Sequence, residues 1–195
     1  MSYSLSEIEA LALKAARGAG YSWGLSYEVG RAVTWLIQAD LDGCAILGHV
    51  LEWVSSSSVE TAHCPIKTGV SLSDDAYCLN SDVRTFQNVY EPAMLLPFAS
   101  FAAKQLNCAV KLELDTVPFT ISPTGYEGQP SFKATAQSVH LQKTADPLRQ
   151  HNRINRYSGS PDTIEILQGF AARTYAPATE ASRRLGAGGT TSDND

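Results

Sequence analysis

The chain has no cluster of lysine and arginine, no CxxC pair and no apolar run long enough to cross a bilayer. Each lack removes a class of function. The 15 Lys and Arg are outnumbered by 20 Asp and Glu, for a net charge of −5. Binding to a phosphate backbone needs concentrated positive charge, so no nucleic acid is expected as partner. The densest basic spots are SRRL at 182–185 and RQHNRINR at 149–156. Such spots read as solvated faces or as places for a small anionic ligand. The longest apolar stretch, PAMLLPFASFAA at 92–103, is too short for a span and holds two prolines. No membrane is expected as partner. The start, MSYSLSEIEA, is polar and acidic and does not read as a secretory signal. The expected location is the cytoplasm.

Nucleotide loops are missing too. RGAGYSWG at 17–24 is glycine-rich, but a helix pattern precedes it where a dinucleotide fingerprint needs a strand, and no Gly-Lys-Ser/Thr follows. No cofactor is expected. The cysteines, Cys44, Cys64, Cys78 and Cys108, are widely spaced, and free thiols are expected in a reducing compartment. His63–Cys64 invites a nucleophile-and-base reading, or a metal reading with Cys78. Neighbours on an extended chain point to opposite faces, so His63 is not the natural base for Cys64. The spacing from Cys64 to Cys78 fits no zinc pattern, and no metal is expected. Cys44 and Cys108 lie on apolar faces and read as core. His49, on a helix between Leu47 and Val50, reads as structural, while His140 on a strand and His151 in a polar loop have no recognisable partner.

The chain does have enough apolar material for a core, with 195 residues of which 44% are hydrophobic. That length suits one domain over 1–195, with 1–54 a helical subregion. SLSE at Ser4–Glu7 is a capping box, followed by Ile8, Leu11 and Ala15 at helical spacing. A second helix begins near Ser22–Leu25, with a stripe of Leu25, Val29, Ala32, Val33 and Leu36. Gly30 leaves it room for a close neighbour. Asp40 or Asp42 caps a third helix, whose inner side is Ile46, Leu47, Val50, Leu51 and Val54. SSSS at 55–58 reads as a linker. IKTGVSLS at 66–73 and DAYCL at 75–79 read as short strands. EPAMLLPFASFAAKQLN reads as a buried helix, in two pieces if Pro97 interrupts it. CAVKLELD at 108–115 alternates strictly, VPFTI continues the alternation, and SPTGYEGQP supplies turns. SFKATAQSVHLQKT is the return strand, with a bulge or break where its phase shifts between Ala136 and Val139. Ser160 caps a later helix with Pro161 at its first position and Ile164, Leu167, Phe170 and Ala171 inside. Pro177 opens a last helix through Leu185, and 186–195 forms a Gly-rich acidic tail. The expected class is α+β: N-terminal helices, a central antiparallel β-meander, then C-terminal helices and the tail.

Two glycine stretches remain. Backbone N–H groups in the 17–24 turn can favour an anion, or its glycines can simply turn a helix corner. At the other end, Asp193 and Asp195 concentrate negative charge, which either stays solvated or docks on arginines such as Arg17, Arg173 or Arg183.

SEIEALALKAARGAGYSWGLSYEVGRAV at the front and ARTYAPATEASRRLGAGGTTSDND at the back together resemble an uncharacterised bacterial family. The resemblance covers the two ends and carries no activity. It implies attention to Arg17, Gly18, Gly20, Trp23 and Glu28 at one end. At the other it implies Arg173, Tyr175, Glu180, Ser182, Arg183, Gly186, Gly188, Asp193 and Asp195. The family tail reads Gly-Ala-Gly-Ala-Gly, where this chain has the shorter GAGGT.

The expected function is binding of a small polar or anionic metabolite between the terminal helices. An enzyme version is a small-molecule hydrolase or lyase using Glu28, Tyr175 or Arg173. A different class is a non-catalytic subunit or interaction protein, in a homo- or hetero-oligomer, whose acidic tail docks on a partner. A flat apolar patch around Trp35, Trp53 and Leu96 would favour that class, and a concave pocket lined by both end motifs would favour the first.

Overall fold

In the computed structural model, which describes residues 2–56 and 63–175, six α-helices pack with a five-stranded antiparallel sheet. Helix α1 spans Leu5–Gly18. Its capping box forms as the sequence predicts: Glu7 N–H donates to Ser4 Oγ at 3.3 Å, and Ser4 N–H donates to Glu7 Oε2 at 2.7 Å. Helix α2 spans Trp23–Gln38 behind the Ser22 cap, and α3 spans Gly43–Ser55 behind Asp42. Gly30 lets α1 approach closely, because a Cβ there would stand 3.0 Å from the Glu9 carbonyl oxygen.

The segments expected as short strands at 66–73 and 75–79 are helical instead. Helix α4 spans Pro65–Asp74, and a 3₁₀ turn spans Ala76–Asn80. Ile66, Val70 and Leu72 imitate alternation, but the buried set is Pro65, Ile66, Thr68, Gly69, Leu72 and Ser73, which is helical spacing. Pro65 takes the first helical position, where its missing N–H costs nothing. Gly69 is needed there, because the Phe98 ring occupies the space of a Cβ.

Helix α5, Leu95–Leu106, is preceded by a 3₁₀ turn at Pro92–Met94. The piece does divide, but at Leu95; Pro97 is absorbed in the first turn of α5, where no ladder bond is lost. Buried residues run round most of α5, including Leu95, Leu96, Phe98, Ala99, Ala102 and Ala103. It is the middle layer, packed on the sheet on one side and on α2 and α4 on another.

The strands are β1 (Tyr3–Ser4), β2 (Arg84–Tyr90), β3 (Val110–Leu114), β4 (Val117–Ser122), β5 (Gly125–Glu127), β6 (Thr135–Lys143) and β7 (Arg156–Tyr157). The main sheet has the order β2-β6-β3-β4-β5. The meander is thus only β3-β4-β5. Strand β6 returns by the 128–134 connection to lie beside β3, which makes a Greek key. Strand β6 runs unbroken in constant register with β2 and β3, so no bulge forms. Its phase shift is met by left-handed Asn88 on β2 and by Asp115, whose carboxylate accepts the N–H groups of Gln137 and Ser138 at 2.7 and 3.0 Å. Cys44 is core, but Cys108 precedes β3 and is only half-buried. A separate pair, β1-β7, ties the N-terminus to the chain before helix α6, Pro161–Ala172. No helix among the described residues is long and apolar enough to cross a membrane.

Candidate functional site

The α1–α2 turn gathers several of the residues singled out from the sequence. Helix α1 stops at Gly18, and Gly20 supplies the positive φ of +96°. Arg17 folds back over this turn: its guanidinium donates to the Tyr21 carbonyl and lies 4.7 Å from the centroid of Trp23. Trp23 itself is 61% exposed. Gly18 marks a crossing point, since a Cβ there would collide with the Phe170 carbonyl of α6 and lie 3.4 Å from the Arg173 Cβ. Arg17, Gly18, Gly20, Trp23 and Arg173 thus share one corner. Arg173 stacks on Phe170 of its own helix, 4.2 Å from the ring centroid. Glu28 stands apart, paired with Arg31 at 3.0 Å on the outer side of α2. Tyr175 is exposed. Glu180, Ser182, Arg183, Gly186, Gly188, Asp193 and Asp195 lie outside the described residues.

Behind the turn is a cleft of about 200 Å³. One wall is Ala19, Gly20 and Tyr21; the second is Trp53 and Val54 of α3; the third is Cys64 and Lys67 at the start of α4. Tyr21 Oη and Cys64 Sγ are 3.2 Å apart. Burial, with the thiol beside it, pushes the Tyr21 phenol far above its ordinary pKa, so it stays protonated. Among the described residues no side-chain cap hydrogen bond forms at Cys64, the N-cap of α4. Its first ladder bond runs from Thr68 N–H to Cys64 O at 3.0 Å. The N–H groups of Ile66 and Lys67 precede that bond and belong to the positive end of the helix.

The walls are held from behind by the 88–91 segment. Tyr90 stacks on Trp53. His63 N–H donates to Asn88 O at 2.6 Å, and Tyr90 N–H donates to His63 O at 3.2 Å. Glu91, left-handed at φ 41°, faces His49 Nδ1 at 3.3 Å. Burial raises the Glu91 carboxyl above its ordinary pKa, and His49 offsets part of that rise.

Cys64 and Lys67 escape a reading from sequence neighbours, since Tyr21, the hydrogen-bond partner of Cys64, comes from the α1–α2 turn. A signal is present in Cys64-Pro65, the start of a helix with Pro at its first position. The flat apolar patch around Trp35, Trp53 and Leu96 that would favour a partner-docking protein does not form: Trp35 and Leu96 are in the core, and Trp53 lies on Tyr90. Among the described residues no three His, Cys, Asp or Glu side chains cluster as metal ligands.

Residues 3–84 match the model of a family described as protein of unknown function (DUF3726). The front motif lies in that stretch, and so does every residue lining the cleft. No curated protein and no solved structure matches the chain.

Proposed function

We propose that the protein binds a small anionic metabolite in the cleft between the 19–21 turn, α3 and α4. The observation that carries this reading is the lining itself: Tyr21 and Lys67 share a cleft of about 200 Å³ with apolar Trp53 and Val54. That volume suits a compact ligand with an apolar body and a single anionic group. The uncapped start of α4 adds N–H donors on the side of Lys67. Of the described residues singled out at the two ends, Gly20 alone lines the cleft, so this reading moves the ligand from between the terminal helices to the space between the 19–21 turn, α3 and α4. The four unpaired cysteines support a reducing compartment such as the cytoplasm.

A second reading, docking of a partner protein, draws on Trp23 and Tyr27. These rings lie 6.5 Å apart on α2 and are 61% and 56% exposed. The first reading is favoured because it uses a concave site.

Calorimetric titration with inorganic phosphate and with benzoate tests it. Lys67→Met is expected to weaken binding about tenfold, or ~1.4 kcal/mol, as befits loss of a charge-assisted contact. Equal affinity in the variant, or no saturable heat with either anion, removes the reading.

A further inference from the structure

We propose that the segment 177–185 folds back as a helix into the groove between α3 and α6. The inference is independent of the cleft reading. The groove encloses about 520 Å³, with Glu52 and Ser56 on the α3 side and Ile166, Gly169, Phe170 and Arg173 on the α6 side. Ile166, Gly169 and Arg173 recur at helical spacing, so the groove follows one stripe of α6. That stripe is apolar and open. Ile166 is 36% exposed, and the space a Cβ on Gly169 would take is empty to 4 Å among the described residues. Gly48 of α3 meets Ile166 farther along, where a Cβ on the glycine would lie 3.6 Å from the Ile166 Cγ2.

The occupant follows from where the described chain leaves α6. The helix ends at Ala172, and Arg173, the next residue, already lines the groove. Residues 176–195 lie outside the described residues, and their first stretch is APATEASRRL. Pro177 suits a first helical position, and Ala178, Ala181 and Leu185 then share one face. Run back along α6, that face sets small Ala181 over open Gly169 and Leu185 over Ile166. The lengths agree, since Ala181 to Leu185 is about 6 Å of helix and Gly169 to Ile166 about 4.5 Å. The charges agree in order. Arg173 stands at the mouth of the groove, and Glu52 lies about one turn back from the end of α3. A returning segment presents Glu180 first and Arg184 one turn later, so each meets the opposite sign. The mode is an amphipathic helix laid in a groove, supplied by the chain itself.

Hydrogen exchange of the full chain, read by mass spectrometry of peptides covering 177–185, tests the docking. A helix this short is marginal in water on its own, so slow exchange there reports contact with the fold. Its amides should exchange at least about tenfold more slowly than an unstructured chain. Ile166→Asp and Leu185→Asp should each abolish that protection and leave α1 and α5 protected as before. Leu185 lies outside the described core, so its variant carries the test even where Ile166→Asp fails to fold. Unprotected amides at 177–185 in the purified chain overturn the proposal and leave the groove to another partner. Protection that survives Leu185→Asp overturns it as well. So does protection that grows with protein concentration alongside a dimer mass, which would put the segment of a second copy in the groove.

Discussion

The Trp53 indole lies flat on the Tyr90 ring, with centroids 4.8 Å apart and planes 12° from parallel. Through this stack the end of β2 supports the α3 wall of the cleft. The same segment supports the α4 wall, because Asn88 and Tyr90 bond the backbone of His63, the residue before Cys64. One short segment, with left-handed residues at Asn88 and Glu91, therefore sets the distance between two walls.

Tyr90→Ala should loosen phosphate binding although Tyr90 does not line the cleft. A double-mutant cycle of Trp53→Ala and Tyr90→Ala, read by urea unfolding, should give a coupling of about 1 kcal/mol, the usual worth of a stacked pair beyond its area. A coupling near zero would mean that the stack holds nothing.

Three glycines in the same corner should respond differently to alanine. Gly18→Ala forces the α6 backbone at Phe170 away from α1 and should cost about 3 kcal/mol. Gly20→Ala has open space but a φ of +96°, and should cost about 1–2 kcal/mol. Gly24→Ala has neither constraint and should stabilise by about 0.5 kcal/mol. Melting midpoints in that order check the crossing; a harmless Gly18→Ala would contradict it.

Glu91 gives a pH signature. Burial raises its folded pKa above the unfolded value, so the native state holds the proton to higher pH. Where only the unfolded chain has ionised, native protein binds more protons, and this group's contribution to stability falls as pH rises from about 4.5. Glu91→Gln removes that dependence. Its stability relative to wild type should therefore rise between pH 4.5 and the folded pKa, measured by urea midpoints across the range. A difference that does not vary with pH would refute the burial argument.

The helices with local signals were legible. Ser4 and Glu7 lie within one turn, and Ser22, Asp42 and Ser160 announce their helices by caps that depend on nearby backbone. Helix α4 was not legible, because Ile66, Val70 and Leu72 imitate alternation. The fact that decides against a strand, Phe98 filling the space over Gly69, lies far along the chain. Strand β2 carries polar Arg84, Thr85, Gln87 and Asn88 at the sheet edge, so its pairing with β6 sets it more than its own pattern. The order β6-β3 is likewise a long-range choice. Of the residues singled out in the 17–24 turn, Gly20 lines the proposed cleft and Gly18 meets α6 instead. The sequence around Cys64 offers it only His63 and Cys78, whereas the fold sets Tyr21 Oη 3.2 Å from its thiol and Lys67 in the lining of the same cleft.

Thiol labelling should follow burial. In native protein Cys78 should alkylate readily, while Cys44, whose pKa burial pushes up to about 12, should stay protected until the core opens. After denaturation without reductant all four cysteines should label, since none is paired. Early labelling of Cys44 in native protein would contradict its place on the buried face of α3.

The most direct test of the cleft is an amide-shift map of the full chain during titration with benzoate and with inorganic phosphate. Saturable shifts should concentrate at Gly20, Tyr21, Ile66 and Lys67, with the Trp53 side-chain N–H following, and should vanish from that set in Lys67→Met. Shifts that centre instead on the surface hollow of Asp40, Asp42, Arg156 and Ser158 would contradict the account. So would shifts that stay linear and scattered to high concentration.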